Sequence, residues 1–314
     1  MYTLAIETGG TKLQLFLGTS QGEIVYKHYH QVEPNLGRKG TLDAIEAGLP
    51  ILREAAEKLG GSIEKVAIGF GGIVDYPRGV TIASAQISGW DQFPLRDYLQ
   101  ETMGIPAFVF NDTDAATWGE YVKGAGRNCH TFMYTNIGSG TGGGVVIDGK
   151  LYIGQGLGGM EIGQTFVHNM DSADSMDFIQ MEHLCSGWGM ESRLRKADIP
   201  ESSALWRLCE MDQQALTCKM LATALHEGDP FATDFFDRTI HVYAISLANA
   251  INLLAPEVVA IGGGVSLIGA PLFSRVEAYV AKYVANNVKN RYKIVPCELG
   301  VEIVPIGALL LANN

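Results

Sequence analysis

The stretch AIETGGTKLQLF, residues 5–16, reads as a strand, a glycine turn and a second strand. Its apolar runs are joined by Gly9, Gly10, Thr11 and Lys12, with one carboxylate, Glu7, just ahead. Glycine reaches positive φ and has no Cβ, so such a turn lets peptide N–H groups approach an anion closely, most often a phosphate. An ordinary hairpin is the competing reading, since the stretch has neither the P-loop spacing nor the strand-to-helix dinucleotide fingerprint. Repetition decides between them. FMYTNIGSGTGGGVVIDGKLYIG, residues 132–154, runs again through strand, polar residue, glycine turn with threonine, strand and strand. EVVAIGGGVS, residues 257–266, is a third buried strand ending in glycines. The chain therefore reads as duplicated in architecture. Gly138, Gly140, Thr141 and Gly142 form the second turn, and Gly262, Gly263 and Gly264 the third. Two facing hairpins would hold a polyphosphate in a cleft between domains. The third turn leads into a helix, whose N-terminus favours the α-phosphate or ribose region of a nucleotide. ATP fits this arrangement better than NAD.

Working outward, TLAIE, LQLFLG and GEIVYKHYH predict three strands, followed by a helix over 40–59. KVAIGFG and AFVFND predict buried strands, with short helices over 95–103 and TDAATWGEYVKG. This is a mixed-sheet α/β domain. Residues 176–245 read as mostly helical with a break at HEGDP, and AISLANAINLLAP keeps helical periodicity up to Pro256. The tail VEIVPIGALLLANN reads as a strand and a short helix folding back on the first domain.

At 314 residues the chain exceeds what one core usually serves, which predicts two domains. The first comprises 1–115 with 300–314, the second 116–299. Lys and Arg total 23 against 34 Asp and Glu, a net charge of -11, and no basic stretch offers a footprint for nucleic acid or an anionic membrane. Five scattered cysteines encode neither a disulfide framework nor a Cys-rich zinc site, and fit a reducing cytoplasm. Neither an export signal nor a membrane span is expected. Of 38 glycines, 11 fall between Ile137 and Gly163, punctuating apolar runs as tight turns do.

The matching segments GFGGIVD, ASAQISGW, FNDTDAATWGE, GGMEIGQ, MEHLCSG, PEVVAIGGGVS and PIGALLLA, together with the first two glycine turns, run in order along nearly the whole chain. In them the sequence resembles the ROK family of repressors, open reading frames and sugar kinases. That resemblance implies a two-domain actin/hexokinase-like (ribonuclease H-like) α/β fold with mixed sheets and an interdomain active-site cleft. It further implies an ATP-dependent sugar kinase.

Phosphoryl transfer to a sugar hydroxyl needs a carboxylate to take its proton and groups that stabilise the spreading charge. The family pattern implies Asp112 as that base and Asn111 as a sugar ligand, the competing reading being helix capping by Asp112 or Asp114. Glu7 stands where most of the family has Asp, and would help hold Mg²⁺ through water. A surface-strand glutamate is the bland alternative. Thr11 and Lys12 would meet phosphates, although Lys12 also reads as simply solvated. Glu161 and Glu182 correspond to the two sugar-binding glutamates, and Gly72 to the sugar-side loop. Glu161, set among glycines and apolar residues, is the stronger of the two on burial grounds.

The departures bear on the substrate. Gln164 stands where the family's histidine would bind both sugar and structural zinc, and TFVHNMDSADSMDFIQ, residues 165–180, lacks the CxCGxxGC cysteines of that site. Structural zinc is therefore predicted absent. His168, His183 and Cys185 have no tetrahedral-ligand spacing that would replace it. GFGG lacks the family's proline, and Gln86 replaces an asparagine. Glucose is the default acceptor, with C6 the hydroxyl. Fructose and N-acetylhexosamines are alternatives, and a catalytically silent sugar- or nucleotide-binding protein is the alternative of another class. A helix-turn-helix repressor is not expected, because the hairpin begins within ten residues of the start. The resemblance also implies a homodimer through the second domain.

Overall fold

The computed structural model describes residues 1–9, 12–84 and 87–314. The strands of its first half are β1 (Tyr2–Thr8), β2 (Lys12–Gly18), β3 (Ile24–Gln31), β4 (Ile63–Phe70), β5 (Ile73–Asp75), β6 (Val80–Ala83) and β7 (Ala107–Asn111). Those of its second half are β8 (Thr131–Asn136), β9 (Gly143–Ile147), β10 (Lys150–Leu151), β11 (Phe166–His168), β12 (Phe178–Gln180), β13 (Val258–Gly262) and β14 (Lys293–Pro296). The two large sheets have the orders β3-β2-β1-β4-β7 and β10-β9-β8-β13-β14, while β5-β6 and β11-β12 are small hairpins. Each sheet thus sets an antiparallel hairpin beside parallel strands: β1–β2–β3 then β4 and β7 in the first, β9–β10 then β8, β13 and β14 in the second. The duplication read from the glycine turns is present as one strand order used twice.

The chain divides into two compact units. One holds residues 1–128, 144–159 and 298–314, the other 129–143 and 160–297. In the first unit the central strands alternate large and small residues. Leu4, Ile6, Leu13, Leu15, Val66 and Ile68 pack with α1 (Gly37–Lys58) and α2 (Leu95–Met103) on one face. Ala5, Phe16 and Ala67 meet α3 (Asp112–Lys123) and a C-terminal helix on the other. The strand expected in VEIV is absent: a 3-10 turn at Gly300–Glu302 runs directly into the helix at Ile303–Leu311. Pro305 sits in its first turn, where a missing N–H costs nothing, so the local β-branched residues did not decide.

In the second unit the expected helical stretch is broken into α4 (Met181–Cys185), α5 (Gly187–Leu194), α6 (Ala204–Leu208), α7 (Cys218–His226) and α8 (Pro230–Leu254). Side-chain caps start four of them: Ser186, Ser203, Thr217 and Asp229 accept the N–H of Gly189, Leu205, Met220 and Ala232. The HEGDP break is that last cap, with Pro230 at the first helical position. The final glycine turn does not open an α-helix. Gly264–Ile268 is 3-10, and α9 (Ala270–Tyr283) begins only after Gly269. Ile303–Leu311 is α10.

Candidate active site

Neighbouring strands of the first unit bring its candidate residues to one edge. Parallel pairing sets Glu7 opposite Gly69 and Phe70 opposite Asn111, so the carboxyl ends of β1, β4 and β7 deliver Glu7, Gly69–Gly72 and Asn111–Asp112 side by side. A Cβ on Gly69 would stand 3.8 Å from Asp112 Cα. Ends of parallel strands are where open α/β sheets carry their chemistry.

Asn111, rather than Asp112 or Asp114, caps α3: its Oδ1 accepts the N–H groups of Thr113 at 2.9 Å and Asp114 at 3.0 Å. Its Nδ2 donates to Gly72 O at 2.9 Å, and among the described residues its second amide hydrogen has no acceptor. Asp112 is the first helical residue. Its Oδ1 accepts from Thr113 N at 2.7 Å and Thr113 Oγ1 at 3.3 Å, and no other residue among those described is bonded to the carboxylate. Burial raises the Asp112 carboxyl above its ordinary range, and the two Thr113 bonds pull the other way. Glu7 is pushed up to about 7, by burial first and then by the charge of Asp112, against the opposing charge of Lys12. Gln14 Nε2 donates to Glu7 Oε2 at 3.1 Å, and among the described residues Oε1 accepts no hydrogen bond, so it could serve as a hard donor for a cation.

Gly9 closes the hairpin, its N–H bonded to Lys12 O at 3.0 Å. The exposed Lys12 lays its ammonium over the Tyr29 ring at 4.4 Å. Gly10, Thr11 and Gln86 lie outside the described residues. A Cβ on Gly72 would fall 2.2 Å from Ala83 O, so only glycine fits there.

The second unit assembles the other candidates. In the 138–142 turn, Gly138 N–H bonds Gly140 O at 2.9 Å and Gly142 N–H bonds Asn136 Oδ1 at 2.6 Å. The N–H groups of Ser139, Gly140 and Thr141 make no such bond among the described residues, and Thr141 Oγ1 is buried without a partner. Unsatisfied donors in a glycine turn are what a phosphate would complete, so the turn fits a polyphosphate. Its walls come from the glycines that follow. At Gly263, with φ +85°, a Cβ would meet Ile137 O at 2.5 Å and Gly138 N at 2.7 Å. On Gly262 it would meet Tyr134 Oη at 2.5 Å, whereas Gly264 faces open space.

Gln164 Nε2 donates to Glu182 Oε1 at 2.6 Å, and Gln180 Nε2 donates to Gln164 Oε1 at 2.7 Å. This amide chain occupies Gln164 within the protein. A Cβ on Gly140 would stand 3.4 Å from Glu182 Oε2, which puts the glutamate against the turn. Glu161 is exposed, so the burial argument that ranked it above Glu182 does not hold: the neighbouring Ile162 and Gly163 turn inward and the carboxylate turns out. Among the described residues no group of three His, Cys, Asp or Glu side chains could hold a metal ion. The Cys185 thiol is fully buried, bonded to Thr239 O, and pushed up to about 12 by burial, so it is not a ready ligand. Among the described residues no helix is long and apolar enough to cross a membrane.

The model of the ROK family matches residues 3–314. The chain belongs to the ROK family. Relatives within it include the glucokinase of Thermotoga maritima, 29% identical over 307 residues, 97% of this chain and 95% of that one. The glucokinase of Halalkalibacterium halodurans is also 29% identical, over 312 residues, covering 95% and 92%. The crystal structure of a ROK glucokinase from Streptomyces griseus in complex with glucose and AMPPNP is 27% identical and covers 99% of both chains with a TM-score of 0.83. The expected actin/hexokinase-like α/β fold with mixed sheets is thus the fold of this ROK chain.

Sequence reasoning missed Tyr76 and Gln180. Tyr76 gives its hydroxyl to Asp114 and accepts from Asn111 N at 3.1 Å. The one signal for it was a second aspartate in NDTD that must be buried when α3 packs on the sheet.

Proposed function

We infer that this protein transfers the γ-phosphoryl group of ATP to a hydroxyl of a hexose, with glucose as the first candidate and C6 as the acceptor position. The observation that carries the reading is the Asp112 carboxylate, half-buried near Glu7 at the strand ends and held through Oδ1 by Thr113. Asp112 Oδ2 would take the proton of the attacking hydroxyl, and burial, by raising its pKa, strengthens it as a base. Asn111, through its remaining amide hydrogen, and Glu161 and Glu182, as acceptors, would orient the sugar hydroxyls. The N–H groups of Ser139, Gly140 and Thr141, with Thr141 Oγ1, would bind phosphate oxygens. Mg²⁺, held by Glu7 through water, would neutralise charge on the transferring group. The glucokinase relatives support glucose; the Gln180–Gln164–Glu182 chain, which ties up Gln164, is the reason to include other sugars.

The test is ADP release from Mg-ATP across hexoses and N-acetylhexosamines. Sugar-dependent release by the wild type, lowered about 100- to 10,000-fold in Asp112→Asn with sugar binding retained, is the expected result. No release with any sugar, while a sugar or nucleotide still binds, would replace the kinase by a binding protein.

A further inference from the structure

We propose that Tyr76 is a positioning residue for the Asn111–Asp112 pair, bracketing the candidate base by a single hydroxyl that accepts from the residue before it and donates to the residue two after it. The proposal rests on Asp112 acting as the base. The geometry is local and partly buried. Tyr76 Oη receives Asn111 N–H at 3.1 Å and donates to Asp114 Oδ2, and Asp114 is 2% exposed in the first turn of α3. Asn111 ends β7, so its N–H would otherwise seek a ladder partner. The tyrosine takes it at the point where the chain turns from strand to helix. The ring is itself fixed, tilted against Phe110 at 6.4 Å between centroids, and its own N–H bonds Gly156 O at 2.8 Å.

Asn111 Oδ1 and Asp112 Oδ1 together satisfy the N–H groups of Thr113 and Asp114. With Tyr76 holding Asn111 N–H on one side and the Asp114 carboxylate on the other, both flanks of Asp112 are tied to one hydroxyl. A carboxylate that must meet a hydroxyl in line gains from such fixing, because misplacement by a fraction of an ångström is costly in rate. Burial and the Asp114 charge hold the phenol well above its ordinary pKa, so it stays a donor throughout the working range.

The experiment compares wild type, Tyr76→Phe, Asp114→Asn and Asp112→Asn. Its readouts are kcat and KM for sugar and ATP per folded molecule, the Tm, and hydrogen exchange at the 111–114 amides. Tyr76→Phe keeps the ring and removes only the hydroxyl. Expected are a kcat lower by about tenfold with KM values within about twofold, and faster exchange at 111–114 with α1 unchanged. Asp114→Asn keeps an acceptor oxygen for the hydroxyl and stays within about threefold of wild type. An unchanged kcat, a loss explained entirely by fewer folded molecules, or unaltered exchange at 111–114 would overturn the proposal. So would Asp114→Asn as slow as Tyr76→Phe, since charge and not the bond would then matter. A wild type with no turnover on any sugar sinks the kinase reading first; faster exchange in Tyr76→Phe would then mark an anchor of the helix only, and the positioning role would be overturned with it.

Discussion

Glu7 makes the stability of the folded chain depend on pH. In the folded protein its carboxyl titrates near 7, whereas its ordinary value is 4.5. Between those values the folded chain keeps a proton that the unfolded chain has released, so stability falls as pH rises through this window and the penalty is complete above it. Glu7→Gln removes the penalty. Its Tm should match the wild type at about pH 4 and exceed it at about pH 8, with an upper bound of roughly 3 kcal/mol on the gain. Equal melting temperatures at the higher pH would show that Glu7 is not destabilised by burial. Residue types at this site were legible in the sequence because they travel in motifs: ETGGTK and NDTD place an acid against a turn whatever surrounds them. The partners of those residues were not. Tyr76 lies 35 positions from Asn111 and Gln180 lies 16 from Gln164, and nothing periodic links either pair.

Among the elements, α3 and α10 meet at backbone distance. A Cβ on Gly307 would lie 1.7 Å from Ala115 O, and one on Gly119 would lie 2.9 Å from Ile303 O. Small residues let the helices approach, and that approach seats the helix that begins with Asp112. Gly307→Ala should therefore cost about 3 kcal/mol or more in stability, read as a fall in the chemical-denaturation midpoint. A midpoint within error of the wild type would mean that the helices separate without penalty. The tail was misread for a related reason. Ile303 and Val304 favour a strand locally, but the spacing of Ile303, Gly307 and Ala308 serves a helical face, and packing outweighed propensity. The long helical stretch was likewise right in kind and wrong in continuity, because Ser and Thr caps are easily taken for surface residues.

For the whole molecule, Glu120 ties distant parts of the first unit together. It is completely buried, and its carboxylate accepts the N–H groups of Ala125 at 3.0 Å, Glu298 at 2.5 Å and Leu299 at 3.2 Å. Glu120→Gln would turn an NH₂ group toward those donors and should lower stability by about 2 kcal/mol. A thermal melt unchanged from wild type would argue that the loop refolds around the amide. The duplicated sheet order was legible at this scale because both halves carry the same succession of strand, glycine turn and strand. The chain's division was expected at 115 and 300, whereas the compact units change over at 128–129, 143–144, 159–160 and 297–298. Such crossings leave no compositional mark. One consequence concerns biosynthesis. Ala5, Phe16 and Ala67 pack against Ala308, Leu309 and Ala312, which are translated much later. The part of this sheet face that α3 leaves open therefore stays bare until α10 has been synthesised. Nascent chains stalled before α10 should accordingly depend on chaperones that shield an apolar sheet.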